Sequence, residues 1–137
     1  LYSSAASDVY KRQVMDYLED LLVDTRVWVG SWYPERGHDG PVVIVLRLPS
    51  YTQDETRYGQ VEIQVECPNR GEARQLATEI SDALNDLVGR RVRGILVDDV
   101  VENAGPQVAD NIDDSQRTYT MVYSLGFRKQ LLQEGAH

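Results

Sequence analysis

Nucleophilic, metal-binding or acid–base chemistry would have to come from a short roster of side chains. Cys67 is the single cysteine, so no intrachain disulfide is possible and any reactive thiol must be this one. It closes the alternating run Gln60-Val61-Glu62-Ile63-Gln64-Val65-Glu66-Cys67 on its apolar side, which reads as an inert core thiol. The two histidines, His38 and His137, have no second metal-type residue at ligand spacing, so a zinc site is not expected. The neighbours Asp98 and Asp99 would point to opposite faces of a strand, which rules out paired acid–base work by those two. Ser31 and Ser124 sit inside strand-like runs with no base nearby. Gly37, Gly40 and Gly59 do not open a helix before a Lys-Ser/Thr pair, so no phosphate loop is present. Asp110-Asn111-Ile112-Asp113-Asp114 lacks the alternating ligands, central Gly and final Glu of a calcium loop. Arg90-Arg91-Val92-Arg93 follows a helix end, where the dipole favours positive charge. The chain therefore reads as a non-enzyme with no cofactor and no metal.

The elements that would position these residues are more legible. The run from Gln60 to Cys67 is a half-buried strand. Asn69 is placed as N-cap, with Glu72 at the capping-box position. Ala73, Leu76, Ala77, Ile80, Leu84 and Leu87 then form one apolar helical stripe, and Gly89 is expected to supply a left-handed C-cap. Val14 to Asp24 reads as a first helix with Val14, Tyr17, Leu18, Leu21 and Leu22 on one face. Arg26 to Tyr33 reads as a strand with Trp28 and Trp32 on the same face, either as a buried aromatic pair or at a subunit interface. Pro41 to Leu48 is nearly all apolar, which predicts a central strand in a sheet covered on both sides, by helices or by neighbouring chains. A polar loop is expected from Ser50 to Tyr58, a strand from Ile95 to Val101, and an acidic linker from Glu102 to Asp114. Arg117 to Arg128 is the last strand, with Tyr119, Met121, Tyr123, Leu125 and Phe127 on one face. The expected fold is α+β: a single two-layer domain over residues 14–130, with about five mostly antiparallel strands. A long helix lies between the third and fourth strands, and a shorter N-terminal helix packs beside it. Residues 131–137 read as a short tail. Residues 1–13 show no clear period, resemble translated sequencing-adapter sequence, and are expected to lie outside the domain as a disordered or helical extension.

Fourteen basic against 22 acidic residues, a net charge of −8, argue against general binding to nucleic acid or anionic membrane, which needs Lys and Arg to neutralise phosphate. No run is apolar enough for a membrane span.

The order helix, three strands, helix, two strands resembles the tail terminator or minor capsid (tail completion) proteins of long-tailed bacteriophages. The resemblance rests on Tyr58-Gly59-Gln60-Val61-Glu62-Ile63-Gln64-Val65 leading into Asn69-Arg70-Gly71-Glu72-Ala73, and on the helix ending Ala83-Leu84-Asn85-Asp86-Leu87. A third element is the final strand preceded by Gly105-Pro106 and Asp113-Asp114. It covers roughly residues 14–130. The resemblance implies a virion structural protein at the head–tail junction, assembled in the host cytoplasm. Such a protein forms a ring of identical subunits, a hexamer in that family, that ends the tail tube and meets the head connector or stopper. DNA passes through the lumen without specific binding. On that reading Trp32, Gln53, Asp54, Glu55, Arg57, Asp110, Asp113 and Asp114 are candidate inter-subunit or tube contacts. Another neck protein, such as a head-closure protein, fits the same residues, and a ligand-binding regulatory domain acting as a dimer is the rival from a different class.

Overall fold

The computed structural model describes residues 2–22, 26–32, 40–54, 56–92, 95–109 and 118–128. The order is α1 (Tyr2–Leu21), β1 (Trp28–Gly30), β2 (Val42–Gln53), β3 (Thr56–Glu66), α2 (Arg70–Asn85), β4 (Arg91–Val92), β5 (Ile95–Leu96), β6 (Asp99–Val108) and β7 (Thr118–Arg128). Five strands form one mixed sheet in the order β1-β2-β3-β7-β6, antiparallel except for the β1–β2 pair. The fold is the expected α+β, with α2 between the third and fourth strands of this sheet.

Both helices lie on the same face. Strand alternation sends Val43, Val45, Val61, Ile63, Val65, Met121, Tyr123 and Leu125 toward them. They meet Val14, Leu18 and Leu22 of the α1 segment and Ala73, Leu76, Ala77, Ile80 and Leu84 of α2. The helices also touch each other, through a hydrogen bond donated by the Tyr17 hydroxyl to the Ala83 carbonyl at 3.4 Å. Helix α1 covers β1, β2 and β3, and α2 covers β3, β6 and β7. Among the described residues no helix covers the other face, so the cover expected on that side is not made by a helix. Val42 and Ile44 are buried on that open face while Leu46 and Leu48 are half-buried, so only the start of β2 is enclosed on both sides.

Helix α2 starts where expected: the Asn69 side chain accepts from the Glu72 amide at 2.8 Å. It ends sooner. Asp86 is the C-cap, Leu87 donates back to the Leu84 carbonyl, and Gly89 (φ +83) lies one turn further on. The glycine is left-handed as expected, but it bends the chain into a turn after the helix. Its amide donates to the Val97 carbonyl at 2.8 Å, and Val97 donates to the Arg90 carbonyl at 2.9 Å. Helix α1 begins at Tyr2, so most of residues 1–13 is helical, and Gln13 is buried.

Three further expectations change. The segment read as a loop from Ser50 to Tyr58 is mostly strand: β2 and β3 pair out to Gln53 and Thr56, with Asp54 (φ +50) in the turn. A short polar side chain tolerates that left-handed backbone. The strand expected from Ile95 to Val101 is two pieces, β5 turned back on β4 and then β6. The linker from Glu102 onward is β6 as far as Val108. Two register shifts, at Glu102/Ala104 and Ala104/Gln107, absorb Gly105 and Pro106 at the sheet edge, where a residue without an amide proton is tolerated. The remainder of that linker, from Asp110, lies outside the described residues.

Candidate functional site

The open face is built from the outward-facing row of each strand. Trp28 and Gly30 stand at one edge, then Val42, Ile44, Leu46 and Leu48, then Tyr58, Gln60, Glu62, Gln64 and Glu66. Thr118, Thr120, Val122, Ser124 and Gly126 follow, with Asp99, Val101 and Ala104 on β6. The Trp28 indole folds along its own strand over Gly30, where an added Cβ would run into the ring. A larger residue at position 30 would have to push the indole aside.

At the far end of this face a polar and aromatic network spans four strands. The Tyr51 and Tyr58 rings stack with centroids 5.0 Å apart. The Tyr58 hydroxyl donates to Asp99 Oδ2 at 2.7 Å, and Tyr51 donates to Ser124 Oγ at 3.0 Å. Ser124 in turn donates to Asn103 Oδ1 at 2.6 Å, and Gln60 Nε2 reaches the same oxygen at 3.5 Å. Gly126 makes room for the Tyr58 ring, since a Cβ there would lie 2.9 Å from Tyr58 Cε1. Nearer the middle, Gln64 Nε2 donates to Glu62 Oε2 at 3.0 Å.

A second polar cluster lies on the helix side. The Tyr123 hydroxyl donates to Glu102 Oε1 at 2.8 Å and meets Ser81 Oγ in a short contact. Asn85 Nδ2 donates to the same carboxylate oxygen at 3.1 Å. The simplest proton order runs Ser81 to Tyr123 to Glu102, which satisfies the fully buried Tyr123 hydroxyl. The Tyr123 hydrogen bond, with that of Asn85, holds the Glu102 carboxyl below its usual range. This cluster fixes α2 to β6 and β7. Two buried side-chain oxygens, Gln13 Oε1 and Thr118 Oγ1, have no hydrogen-bond partner among the described residues.

Three protons are held unusually tightly. The Asp99 hydrogen bond, aided by burial, pushes Tyr58 up to about 12. Burial does the same for Tyr123, again to about 12, and raises the Cys67 thiol to about 11. Cys67 is buried, as its place on the apolar side implied. All three folded values lie above the unfolded ones, so this part of the stability is complete below about pH 9 and is lost as pH rises through about 11 and 12. Thermal melts should therefore fall steadily over that window. Cys67→Ala should remove the earliest part of the fall, and an ultraviolet titration should find the two late tyrosines gone in Tyr58→Phe/Tyr123→Phe. A flat melting temperature across the window would contradict all three assignments.

Of the contact residues expected from sequence, Gln53 and Asp54 are exposed at the hairpin end of β2. Arg57 pairs with Thr52 there but belongs to the helix-side row, half-buried. Trp32 is not brought to them: it follows β1 and is 74% exposed. The pairing of Trp28 and Trp32 on one strand face is corrected, because β1 stops at Gly30. Trp28 is half-buried and Trp32 is outside the core. Glu55, Asp110, Asp113 and Asp114 lie outside the described residues. Sequence reasoning missed the roles of Tyr51, Tyr58, Asp99, Asn103 and Ser124. Alternation put Gln60 on the wet side of β3 and left Tyr58 in the expected loop, and the cross-strand partners depend on register. Among the described residues no group of three His, Cys, Asp or Glu could hold a metal ion, and no helix is long and apolar enough to cross a membrane.

Among known proteins, no protein-family model matches the chain, and a search of the curated proteins finds no match.

Proposed function

We propose that the protein is a self-assembling structural subunit of a virion. It would form a ring at the head–tail junction of a tailed phage, end the tail tube, and meet the head connector. The observation that carries this reading is the exposure of Trp32, 74% in the isolated subunit, beside a sheet with one face that no helix covers among the described residues. A tryptophan left in water is a large apolar area that a neighbouring protein surface would cover, and Trp is enriched at the centres of such contacts. Tyr51, Val88 and Leu21 are also exposed and give neighbours further apolar area. The net charge of −8 suits a subunit whose ring surrounds a polyanion that has to slide without sticking.

Replacing Trp32 with alanine tests the reading. Loss of an interface anchor weakens a contact by about 2 kcal/mol or more, so the concentration at which the assembly half-dissociates should rise about thirty-fold or more, read by sedimentation velocity with the fold checked by circular dichroism. An assembly unchanged by Trp32→Ala would remove the observation on which the proposal stands.

A further inference from the structure

We propose that the open sheet face of one subunit receives the arginine-bearing turn of the next, through Val88, Arg90 and Arg91, in a head-to-tail contact. This rests on the assembly reading above and names the surfaces that carry it. The turn is held firmly from below. Leu87 and Val97 are buried, and the Gly89 and Val97 amides bond across the turn to the Val97 and Arg90 carbonyls. Above that anchor Val88 is 50% exposed, and both arginines are exposed. Arg90 is paired with Asp86 at 2.8 Å. That bond engages one of several guanidinium donors, and an exposed ion pair of this kind holds its partners weakly. An apolar side chain flanked by arginines on a rigid turn has the composition of an interface anchor.

The open face complements it in charge and shape. Its rows present Glu62, Glu66 and Asp99, and from Thr118 to Gly126 along β7 and from Tyr58 to Glu66 along β3 they contain no Lys or Arg; Arg128 falls in the same row by register only past Gly126, at the hairpin end away from Glu62 and Glu66. The Arg47 and Arg57 positions fall in the opposite row by register. Leu46 and Leu48 add half-buried apolar area on the same face. The turn ends the helix layer, whereas these carboxylates are on the far side of the sheet, so one subunit cannot satisfy its own patch. Two different, complementary patches on opposite layers make a heterologous contact, which repeats into a ring when the rotation closes. Copies that each carry −8 need such a pairing of opposite charge to approach in one register.

The test uses two charge-reversed proteins, Glu62→Arg/Glu66→Arg and Arg90→Glu/Arg91→Glu, with the full chain and sedimentation velocity. Each alone should assemble at least about tenfold more weakly than the native protein, because like charges then face each other. Mixed in equal amounts they should regain assembly, since each reversed face then meets a reversed turn; a folding defect could not be repaired this way. If native protein assembles and either variant assembles equally well, or the mixture stays dissociated, the inference fails while the assembly reading stands. If native protein never assembles, both fall.

Discussion

Replacing Ile80 with alanine should lower the unfolding free energy by about 2–5 kcal/mol, the range for emptying a well-packed aliphatic site. Ile80 is fully buried on the stripe of α2 that faces the sheet, in one cluster with Val61, Ile63, Met121 and Tyr123. The loss has two parts, apolar area returned to water and a cavity that rigid strands cannot close. Ile80→Val should cost about 0.5–1.5 kcal/mol, and Glu79→Ala, on the exposed side, within about 0.5 kcal/mol. Urea unfolding followed by circular dichroism separates the three. A value for Ile80→Ala close to that for Glu79→Ala would mean that α2 does not pack on the sheet as described.

The second large effect is expected at Glu102. Its carboxylate accepts from Tyr123 and Asn85, and Ser81 stands 3.4 Å away. Glu102→Ala leaves the buried Tyr123 hydroxyl without its acceptor, at about 1–3 kcal/mol. Tyr123→Phe should cost less, because Ser81 can then donate to the carboxylate directly. The double variant should cost clearly less than the sum of the two, the sign of a shared hydrogen bond. The folded carboxyl is held low, so its contribution is present above the ordinary glutamate range and is lost as pH falls through the folded value. Acid unfolding of native protein should therefore be steeper than that of Glu102→Ala. Equal slopes with additive costs would contradict the network.

How much of this was written in the sequence depends on the range of the interaction. The alternation from Gln60 to Cys67 and the stripe from Ala73 to Leu84 encode local periods, and both elements stand where the pattern put them, with the Asn69 cap made as its residue type suggests. The apolar run of β2 was misleading in one respect. Its unbroken apolar character implied cover along the whole strand, yet within one subunit burial is continuous only from Val42 to Val45 and alternates beyond it, where Arg47 is exposed. The segments 50–58 and 102–108 read as loops because their residues are polar, glycine or proline. Residues 56–58 and 102–108 are strand because β7 offers a paired edge on each side, and residues 50–53 because β3 does, and tertiary pairing overrides local propensity there. The Tyr58–Asp99 and Tyr123–Glu102 contacts join residues 41 and 21 apart in sequence. No spacing rule reaches across that distance, so the clusters became visible only with the sheet register. Glu102 in particular looked like one more acid in a solvated linker.

The central claim is assembly, and the measurement that tests it most directly is the mass of the purified protein by light scattering over a wide dilution series. The account predicts a discrete species of several 15.5 kDa subunits, a closed ring, that gives way to monomer on dilution and does so earlier for Trp32→Ala. A compact dimer unchanged across the series, or a monomer at every concentration, would contradict it. The dimer would favour the ligand-binding regulatory domain instead.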